Sequence, residues 1–179
     1  MPRRVMTAAV EAGANLINDV RALREKDALN AVAKLAVPVC LMHMQGEPRS
    51  MQNKPEYQNV VSEVKSFLEN RIEVCIKAGI SRENIMIDPG FGFGKTLSHN
   101  LSLLKHLSEF VKMDLPLLIG ISRKSMLGMI TGVEVDQRMP AGLATTVLAY
   151  QAGARFFRVH DVKATVDALK VCHEVASAE

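Results

Sequence analysis

Residues 84–96, NIMIDPGFGFGKT, join a short apolar run to a glycine-rich loop. The apolar run, residues 84–88, is too short for a helix, and its length and composition are those of a strand buried on both faces of a parallel sheet. The loop that follows ends in Gly94-Lys95-Thr96, which is also the ending of a nucleotide phosphate loop. Whether this loop serves a nucleotide or another ligand decides the class of protein to which the strand belongs.

The spacing of the glycines argues against a nucleotide site. A phosphate loop has four residues between its first glycine and the glycine of Gly-Lys-Thr, which would put that first glycine at Pro89, whereas Gly90 is one residue too close. A shorter loop cannot wrap the same row of backbone N–H groups around phosphates, and Asp88 would place an anion beside them. The GxGxG spacing of residues 90–94 also differs from the GxGxxG dinucleotide fingerprint. Nucleotide hydrolysis is therefore a poor interpretation, and we assign Lys95 no catalytic role.

The remainder of the chain alternates short apolar runs with longer segments of helical spacing. Four further runs of strand character occupy residues 15–20, 37–43, 115–122 and 155–160. Apolar residues recur at three- and four-residue steps in residues 60–75, 101–111, 143–150 and 162–175, and a leading helix precedes the first run. This alternation predicts right-handed βαβ units and a parallel α/β sheet.

Two architectures fit five parallel strands. A small doubly wound sheet suits the length of 179 residues, whereas a complete eight-stranded barrel usually needs about 250 residues. Length alone therefore favours the small sheet. No linker or low-complexity tract divides the chain, so residues 1–179 are predicted to form a single domain.

Composition is that of an ordinary globular protein, with 48% hydrophobic and 23% charged residues. The net charge of +3 is mild, and the chain has no Trp and two Tyr for base stacking, which argues against nucleic-acid binding. Cys40, Cys75 and Cys172 form no CxxC pair, so free thiols in a reducing compartment are expected rather than a zinc or redox site. No apolar run approaches a membrane span of about 20 residues, and no signal-peptide core is present. A cytoplasmic protein without a membrane partner is predicted.

Polar residues end every predicted strand. They are Asn18 and Asp19, His43, Asp88, Ser122 with Arg123 and Lys124, and Arg158 with His160. Because ligands of parallel α/β folds bind beyond the carboxyl ends of the strands, these side chains are predicted to share one site. Asp88 suits the two N–H donors of a 2-aminopyrimidinone edge, and Asn18 has donor and acceptor atoms for another edge of such a ring. Phe93 is placed to line the mouth of the site on a mobile glycine loop.

The ends of the last two strands favour an anion. Arg158 is a planar cation that stacks on flat rings or holds an anion, and His160 adds a second anion contact. Ser122 and Ser125 are plausible caps of the following helix, whose N-terminus also suits a carboxylate or phosphate, and Lys124 adds a positive charge there. Together the strand ends predict a heterocyclic substrate with an anionic leaving group.

Five segments are typical of one enzyme family: LINDV, PVCLMHMQGEP, IDPGFGFGKTLSHN, PLLIGISRKSMLG and RVHDV. In their order and spacing they resemble the dihydropteroate synthase family in its bacterial chromosomal form, and they cover the chain from end to end. The resemblance implies a transferase of folate biosynthesis that joins 7,8-dihydropterin-6-ylmethyl diphosphate to para-aminobenzoate and releases diphosphate. The resemblance also implies that the fold is a TIM (β/α)8 barrel, that the protein binds a pterin and that it is a target of sulfonamides.

The resemblance implies a role for each matched residue. Asn18 and Asp88 bind the pterin edge. Met42 and Phe93 line the pocket. Lys124 contacts the pterin and borders the aminobenzoate site.

The same resemblance divides the last two strand ends between the aminobenzoate and the diphosphate. Ser125 takes the aminobenzoate carboxylate, and Ser122 lies with the substrate-binding residues. Arg158 stacks on the pterin and, with His160, holds the diphosphate. Lys124, Arg158 and His160 are the catalytic candidates, in a mechanism in which diphosphate leaves first and the arylamine then attacks a pterin-methyl cation.

The resemblance is to the C-terminal portion of the family's barrel only. The chain corresponds to strands 4–8 with the leading helix 3, and the first three strands are absent. The family's Mg²⁺-linked Asn lies in that absent part, so Mg²⁺ is the implied cofactor and none of these residues is assigned as its ligand. The chain alone is therefore expected to be poorly stable or inactive, and residues 139–175 are expected to form the family's homodimer surface.

Two other functions remain open. One is a non-catalytic pterin-binding fragment, which would bind a pterin without condensing it. The other is a pterin- or folate-binding barrel of the methyltransferase type, against which SRKS at residues 122–125 and RVH at residues 158–160 argue.

Overall fold

The computed structural model describes residues 2–178, so Met1 and Glu179, the ends of the predicted domain, lie outside the described residues. The strands are β1 Ile17–Asp19, β2 Val39–Met42, β3 Ile85–Asp88, β4 Leu118–Ile119 and β5 Phe156–Phe157. Each lies within one of the five predicted runs, and all pairings are parallel. The predicted α/β alternation is confirmed, with strands shorter than the runs that contain them.

Eight α-helices flank these strands in residues 2–178. They are α1 Arg3–Glu11, α2 Ala28–Leu35, α3 Val60–Lys77, α4 Leu97–Lys105, α5 Ser108–Val111, α6 Ser125–Thr131, α7 Met139–Gln151 and α8 Val162–Ser177. The single helix predicted over residues 101–111 is wrong, because His106 ends α4 and a separate turn, α5, follows. α2 was not predicted, because its buried face consists of the small residues Ala28 and Ala31 with Val32 and so gives a weak apolar pattern.

The sequence of α3 contains both its start signal and its buried face. The Asn59 side chain accepts from the N–H groups of Val61 and Ser62 at 3.1 and 3.0 Å, and the Glu63 carboxylate accepts from the N–H of Asn59 at 2.8 Å. This reciprocal cap satisfies N–H groups that have no partner within the helix. The buried residues recur at steps of three and four: Val60, Val64, Leu68, Ile72 and Cys75.

The strands lie side by side in sequence order. β1, β2 and β3 form one sheet, β4 pairs with β5, and a parallel bridge between Ile87 and Leu117 connects the two. A doubly wound sheet reverses its strand order part-way, and no reversal occurs among the described strands. The doubly wound sheet that length favoured is therefore wrong, and the sequential order is that of (β/α)8 barrels.

The parallel register divides the side chains of β1–β3 between two faces. Five residues at equivalent positions point to one side, here called the site face: Asn18, Cys40, Met42, Met86 and Asp88. The apolar residues at the alternate positions belong to the hydrophobic core shared with the helices: Ile17, Val39, Leu41, Ile85 and Ile87. The helices therefore cover one face of the sheet, and predicted site residues lie on the other.

Burial differs between the two ends of the sheet. Every residue of β2 and β3 is buried, as predicted for strands covered on both faces. For β5 that prediction is wrong, because Phe156 is 46% exposed and only Phe157 packs against the core. Phe156 pairs with Leu118 on the site face, so this face is open at β5.

No helix among residues 2–178 is long and apolar enough to cross a membrane. The three cysteines are free thiols, with Cys40 and Cys75 buried and Cys172 partly exposed. Burial raises the pKa of Cys75 to about 11 and also raises that of Cys40. Both buried thiols are therefore protonated at neutral pH and are poor nucleophiles.

Candidate active site

The loop after β3, residues 90–94, packs directly on the chain that follows β2. Its three glycines have φ between +62° and +76°, a region that other residues rarely adopt. A Cβ at Gly90 would lie 1.9 Å from the carbonyl oxygen of His43, and one at Gly94 would lie 2.5 Å from that of Gln45. Glycine is required here by the close approach of two backbones as well as by the turn.

Every carbonyl group of loop 90–94 accepts a hydrogen bond from a side chain. The donors are Lys95 for Gly90 and Phe93, Lys124 for Phe91, Gln52 for Gly92 and Tyr57 for Gly94. The N–H groups of Gly90 and Gly92 donate to Asp88 Oδ1 at 2.7 Å and to Asn100 Oδ1 at 2.8 Å. This complete set of hydrogen bonds is at odds with the mobility predicted for the loop.

Lys95 is the central donor of this network and is only 3% exposed. Its Nζ donates to the carbonyl oxygens of Gly90 and Phe93, each at 3.0 Å, and lies 2.9 Å from Nδ1 of His43. Burial lowers the pKa of Lys95 to about 7. Burial, with the neighbouring Lys95, lowers the pKa of His43 to about 3. The imidazole is therefore neutral and accepts at Nδ1, with its proton on Nε2.

Asp88, the last residue of β3, is 5% exposed and lies on the site face. Burial raises the pKa of its carboxyl group, whereas the N–H of Gly90 and the cations of Lys124, Lys95 and Arg158 oppose that rise. Lys124 and Arg158, predicted site residues from two other parts of the chain, therefore act on Asp88 electrostatically. These groups come together as expected for residues at the carboxyl ends of parallel strands.

Lys124 precedes α6 and reaches back to the loop after β3. Its Nζ donates to the carbonyl oxygen of Phe91 and lies 4.7 Å from the centroid of the Phe93 ring, within the range of a cation–π contact. Burial lowers the pKa of Lys124 to about 8, an effect that Asp88 opposes and Arg158 reinforces. The amine is therefore largely charged at neutral pH, with a pKa only slightly above it.

The structure gathers Ser122, Lys124, Arg158 and His160 around one groove at the ends of β4 and β5. The Ser122 hydroxyl lies 3.0 Å from Nδ1 of His160 and accepts from the His160 N–H at 3.2 Å. Arg158 and His160 are exposed. This basic groove is open to solvent and presents the cationic donors Lys124 and Arg158 to an anion.

Arg123 also lines the basic groove, but its charge is paired with that of Asp161. Its Nη2 and Nε donate to the two carboxylate oxygens of Asp161 at 2.7 and 3.2 Å. Arg138 donates from Nη1 to the Arg123 carbonyl oxygen at 3.1 Å. The turn between β4 and α6 is thereby tied to the chain after β5 and to the start of α7.

The serines of this turn are not helix caps, so that prediction is wrong. Lys124 is the N-cap residue of α6 and its side chain makes no capping hydrogen bond, while Ser125 is the first helical residue. Ser122 bonds to His160 instead, 38 positions along the chain. A local pattern cannot show a partner at that distance.

Asn18 lies on the site face of β1, two strands from Asp88 and level with Met86 in the register, a separation from Asp88 of about 12 Å at the usual strand spacing and rise. Its Oδ1 is buried and has no hydrogen-bond partner within residues 2–178. A buried amide oxygen without a donor costs free energy, which a ligand N–H would recover. Met42 lies on the same face, 3% exposed, and pairs with Asp88 in the register.

Ser125 lines a different groove from Ser122. This second groove runs between loop 90–94, the segment before α3, and α6, and its lining includes Gln52, Gly92, Lys95, Ser125, Met126 and Met129. The two methionines give it apolar walls, and the exposed Ser125 hydroxyl gives it a polar contact. The predicted aminobenzoate residue is thus separated from the predicted diphosphate residues by Lys124, which precedes it in the turn.

Residues 1–160 match the family model of the pterin binding enzymes. The match includes all five strands and the residues that line the basic groove. The chain belongs to the pterin binding enzyme family. In this family context, the site face of the sheet and its two grooves form the candidate pterin site.

The chain is similar to dihydropteroate synthases. The enzyme of Haemophilus influenzae is 51% identical over 174 residues, which are 97% of this chain and 63% of the relative. The crystal structure of the Yersinia pestis enzyme with a sulfonamide drug superimposes with a TM-score of 0.97 at 48% identity, covering 99% of this chain and 65% of that one. The Xanthomonas albilineans enzyme in complex with 7,8-dihydropteroate gives a TM-score of 0.93 at 48% identity, over 99% and 64%. The chain thus spans about 63% of the length of the curated relative.

Residues 2–178 contain no cluster of three or more His, Cys, Asp or Glu side chains arranged to hold a metal ion.

The residues that hold loop 90–94 in place were not predicted from the sequence. Lys95 and Tyr57 were not predicted to contact it, and His43 was predicted only as a polar strand end. The one available signal was a lysine directly after a glycine loop that is not a phosphate loop. Two of the three acceptors of Lys95 are backbone carbonyl groups, which every residue has, and the third is the ring nitrogen of the distant His43. The local side-chain pattern therefore gives no indication of these contacts.

Proposed function

We propose that this chain forms the substrate-binding part of a dihydropteroate synthase, a transferase of folate biosynthesis. Its substrates would be 7,8-dihydropterin-6-ylmethyl diphosphate and para-aminobenzoate. The observation that carries the proposal is the convergence on one face of a buried carboxylate, Asp88, with two cations, Lys124 and Arg158, near a buried amide oxygen without a partner, Asn18 Oδ1. The Xanthomonas relative that binds 7,8-dihydropteroate supports the same conclusion.

The pterin is proposed to lie on the site face. The Asp88 carboxylate accepts from the 2-amino group and a ring N–H, and Asn18 Oδ1 gains the donor that it lacks in residues 2–178. Met42 and Phe93 contact the ring plane. Because Asp88 is buried, its hydrogen bonds to the ring are shielded from competing water.

The diphosphate is proposed to occupy the basic groove. The C–O bond between the pterin methylene carbon and the diphosphate breaks, and its electron pair leaves with the diphosphate. Lys124, Arg158 and His160 stabilise the charge that develops on the departing oxygens, and Ser122 orients the His160 ring through its hydroxyl. The arylamine nitrogen then forms a C–N bond to the methylene carbon and loses one proton.

The aminobenzoate is proposed to enter through the second groove. Met126 and Met129 supply apolar contacts to its ring, and Ser125 donates to its carboxylate. Lys124 lines the basic groove and packs against Gly92, which lines the second groove, so it is proposed to contact both substrates. A sulfonamide is proposed to compete with the aminobenzoate for this groove, and the Yersinia relative that holds a sulfonamide drug supports this.

The proposed architecture is a single domain containing strands 4–8 of a (β/α)8 barrel, with α1 as helix 3. The sequential parallel strand order and the helices on one face support it. A homodimer through residues 139–175 is proposed as well. Its support is a set of exposed apolar residues on α7 and α8: Leu148, Val162, Val166, Val171 and Val175.

The test combines ligand binding and condensation by the purified chain. Titration calorimetry with the dihydropterin diphosphate should show binding. Addition of labelled para-aminobenzoate should give dihydropteroate and diphosphate far more slowly than with a full-length relative, because condensation by the chain alone is expected to be impaired. Asn18→Ala should weaken pterin binding about tenfold, the size of one buried hydrogen bond. The matched control Asn30→Ala changes an exposed residue of α2 and should leave affinity unchanged.

Three other results would change the assignment. Pterin binding without condensation would support the non-catalytic pterin-binding protein. Binding of a methylfolate in preference to the dihydropterin diphosphate would support the methyltransferase type. Absence of binding to any pterin would contradict the proposal.

A further inference from the structure

Lys95 is a buried amine whose partners are uncharged. Its Nζ contacts two backbone carbonyl oxygens and one neutral imidazole nitrogen, and the side chain is 3% exposed. Removing an ammonium group from water is costly, and an apolar side chain of similar length would fill the space without that cost. A stability role alone therefore does not account for an amine at this position.

The two carbonyl groups that Lys95 holds lie at opposite ends of the glycine turn. Gly90 and Phe93 are three residues apart, and the Phe93 N–H also donates to the Gly90 carbonyl oxygen at 3.1 Å. The amine thus fixes a narrow turn made of residues that have unusual backbone freedom. Gln52 and Tyr57 bind the same loop, but Gln52 is exposed and Tyr57 partly exposed, so water competes with both.

Loop 90–94 in turn surrounds the Lys124 side chain. The Phe91 carbonyl oxygen accepts from its Nζ, and the Phe93 ring centroid lies 4.7 Å from that nitrogen. A Cβ at Gly92 would lie 3.2 Å from Lys124 Cδ, so the loop backbone also touches the stem of the side chain. A change in the conformation of the loop would move an acceptor, a ring and a packing surface away from Lys124.

We propose that Lys95 is a positioning residue for the pterin transfer: its buried amine clamps loop 90–94, and the clamped loop holds Lys124 and Phe93 beside Asp88. This inference rests on the proposed function, because Lys124 and Phe93 matter only if the site takes a pterin. Lys95 belongs to the lining of the second groove, but its amine makes its three contacts inside the protein and acts through the loop.

The protonation state of Lys95 provides a readout that a general packing role would not. The titratable groups that face its amine are His43 at the end of β2, Asp88 at the end of β3 and Lys124 before α6. An ammonium has three donor hydrogens for its three acceptors, whereas a neutral amine has two. Since the pKa of Lys95 is about 7, the amine loses its charge as pH rises through that value. Its hydrogen bonds to the carbonyl groups of Gly90 and Phe93 then lose the strength of a charged donor, and the loop loosens.

The experiment compares Lys95→Met with Lys105→Met, the same substitution at an exposed lysine in the last turn of α4. Hydrogen exchange of the amides of Gly92, Phe93 and Gly94 is measured beside that of β2, together with affinity for the dihydropterin diphosphate. In Lys95→Met we expect loop exchange at least tenfold faster and affinity at least tenfold weaker, with β2 exchange within twofold of the unsubstituted chain. Lys105→Met should match the unsubstituted chain in all three.

Loop exchange and affinity within twofold of the unsubstituted chain in Lys95→Met would overturn the proposal. If Lys95→Met does not fold, the unsubstituted chain decides: exchange of the loop amides, corrected for the intrinsic pH dependence of exchange, should accelerate between pH 6 and 8. A constant corrected rate would also overturn it. If the unsubstituted chain binds no pterin, the proposed function fails on its own, and faster loop exchange in Lys95→Met still establishes the clamp.

Discussion

The loop after β3 and the turn after β4 each end in a lysine, yet the two lysines are held in opposite ways. Lys95 is buried, and all three of its contacts are inside the protein. Lys124 has one backbone acceptor, Phe91, and lines the basic groove. Its remaining donors are therefore free to meet a ligand.

The difference shows how the site separates rigidity from charge. Loop 90–94 has every carbonyl group bonded and forms a fixed wall next to the buried carboxylate of Asp88. At the ends of β4 and β5, Lys124 and Arg158 present to the basic groove cations that rest on few contacts. A fixed wall suits recognition of a flat, neutral ring, whereas exposed cations suit an anion that must leave.

The largest predicted effect is at the fixed wall. In Gly90→Ala the new Cβ would lie 1.9 Å from the His43 carbonyl oxygen, at a φ of +71°. We expect the free energy of unfolding to fall by more than about 4 kcal/mol, because backbone strain and overlap with another backbone add together. Urea unfolding followed by circular dichroism measures it.

Gly132→Ala is the matched control for this prediction. Gly132 ends α6 with a φ of +74°, but a Cβ there meets no atom within 4 Å. Its cost should be about 1 kcal/mol, the conformational penalty alone. Equal losses in the free energy of unfolding of the two variants would mean that loop 90–94 can move away from β2. The loop would then not be a fixed wall, in contradiction to the contrast drawn with the turn after β4.

The second effect concerns the carboxylate beside that wall. Asp88→Asn should weaken binding of the dihydropterin diphosphate about 100-fold, because hydrogen bonds to a charged acceptor contribute about 1.5–3 kcal/mol. The pKa of Asp88 is raised by burial, so its ionised form is disfavoured in the folded state. The variant should therefore be at least as stable as the unsubstituted chain at neutral pH, and that advantage should shrink as pH falls through the raised pKa.

Calorimetry and thermal unfolding at pH 5 and 7 check both parts. Asp114→Asn, at an exposed turn residue with φ of +55°, should change neither affinity nor stability appreciably. A large loss of stability in Asp88→Asn at neutral pH would show that Asp88 serves the fold rather than a ligand.

The parts of the site that the sequence predicts are those set by the backbone. Asp88 could be predicted as a site residue because residues at the carboxyl ends of parallel strands lie at one edge of the sheet, whatever their identity. Lys95 was missed because its acceptors are carbonyl groups of a loop and a ring nitrogen 52 positions away. Ser122 was misjudged for the same reason, since its partner His160 lies on another strand end. The exposure of Phe156 likewise depends on which parts of the fold cover β5. The sequence of residues 155–160 carries no information about that.

The third effect is the pH dependence of the turn. The pKa of Lys124 is lowered to about 8, so the amine loses its charge as pH rises through that value. Affinity for inorganic diphosphate should fall about tenfold relative to Lys124→Met between pH 7 and 9, because one charge-assisted hydrogen bond is lost. The titration of diphosphate itself is common to both proteins and cancels in the comparison. A ratio of affinities independent of pH would mean that Lys124 does not contact the anion.

The smallest effect is expected at Ser122. Ser122→Ala removes the hydroxyl that lies 3.0 Å from Nδ1 of His160, an exposed contact whose loss should change the free energy of unfolding by less than about 1 kcal/mol. Affinity for diphosphate should fall about threefold, since His160 stays in the groove but loses its orientation. Ser98→Ala, at an exposed residue of α4, provides the control. If Ser122→Ala reduced affinity as strongly as Asp88→Asn, the turn after β4 would be as tightly organised as the loop after β3. The anion, rather than the ring, would then be the ligand for which the site is preformed.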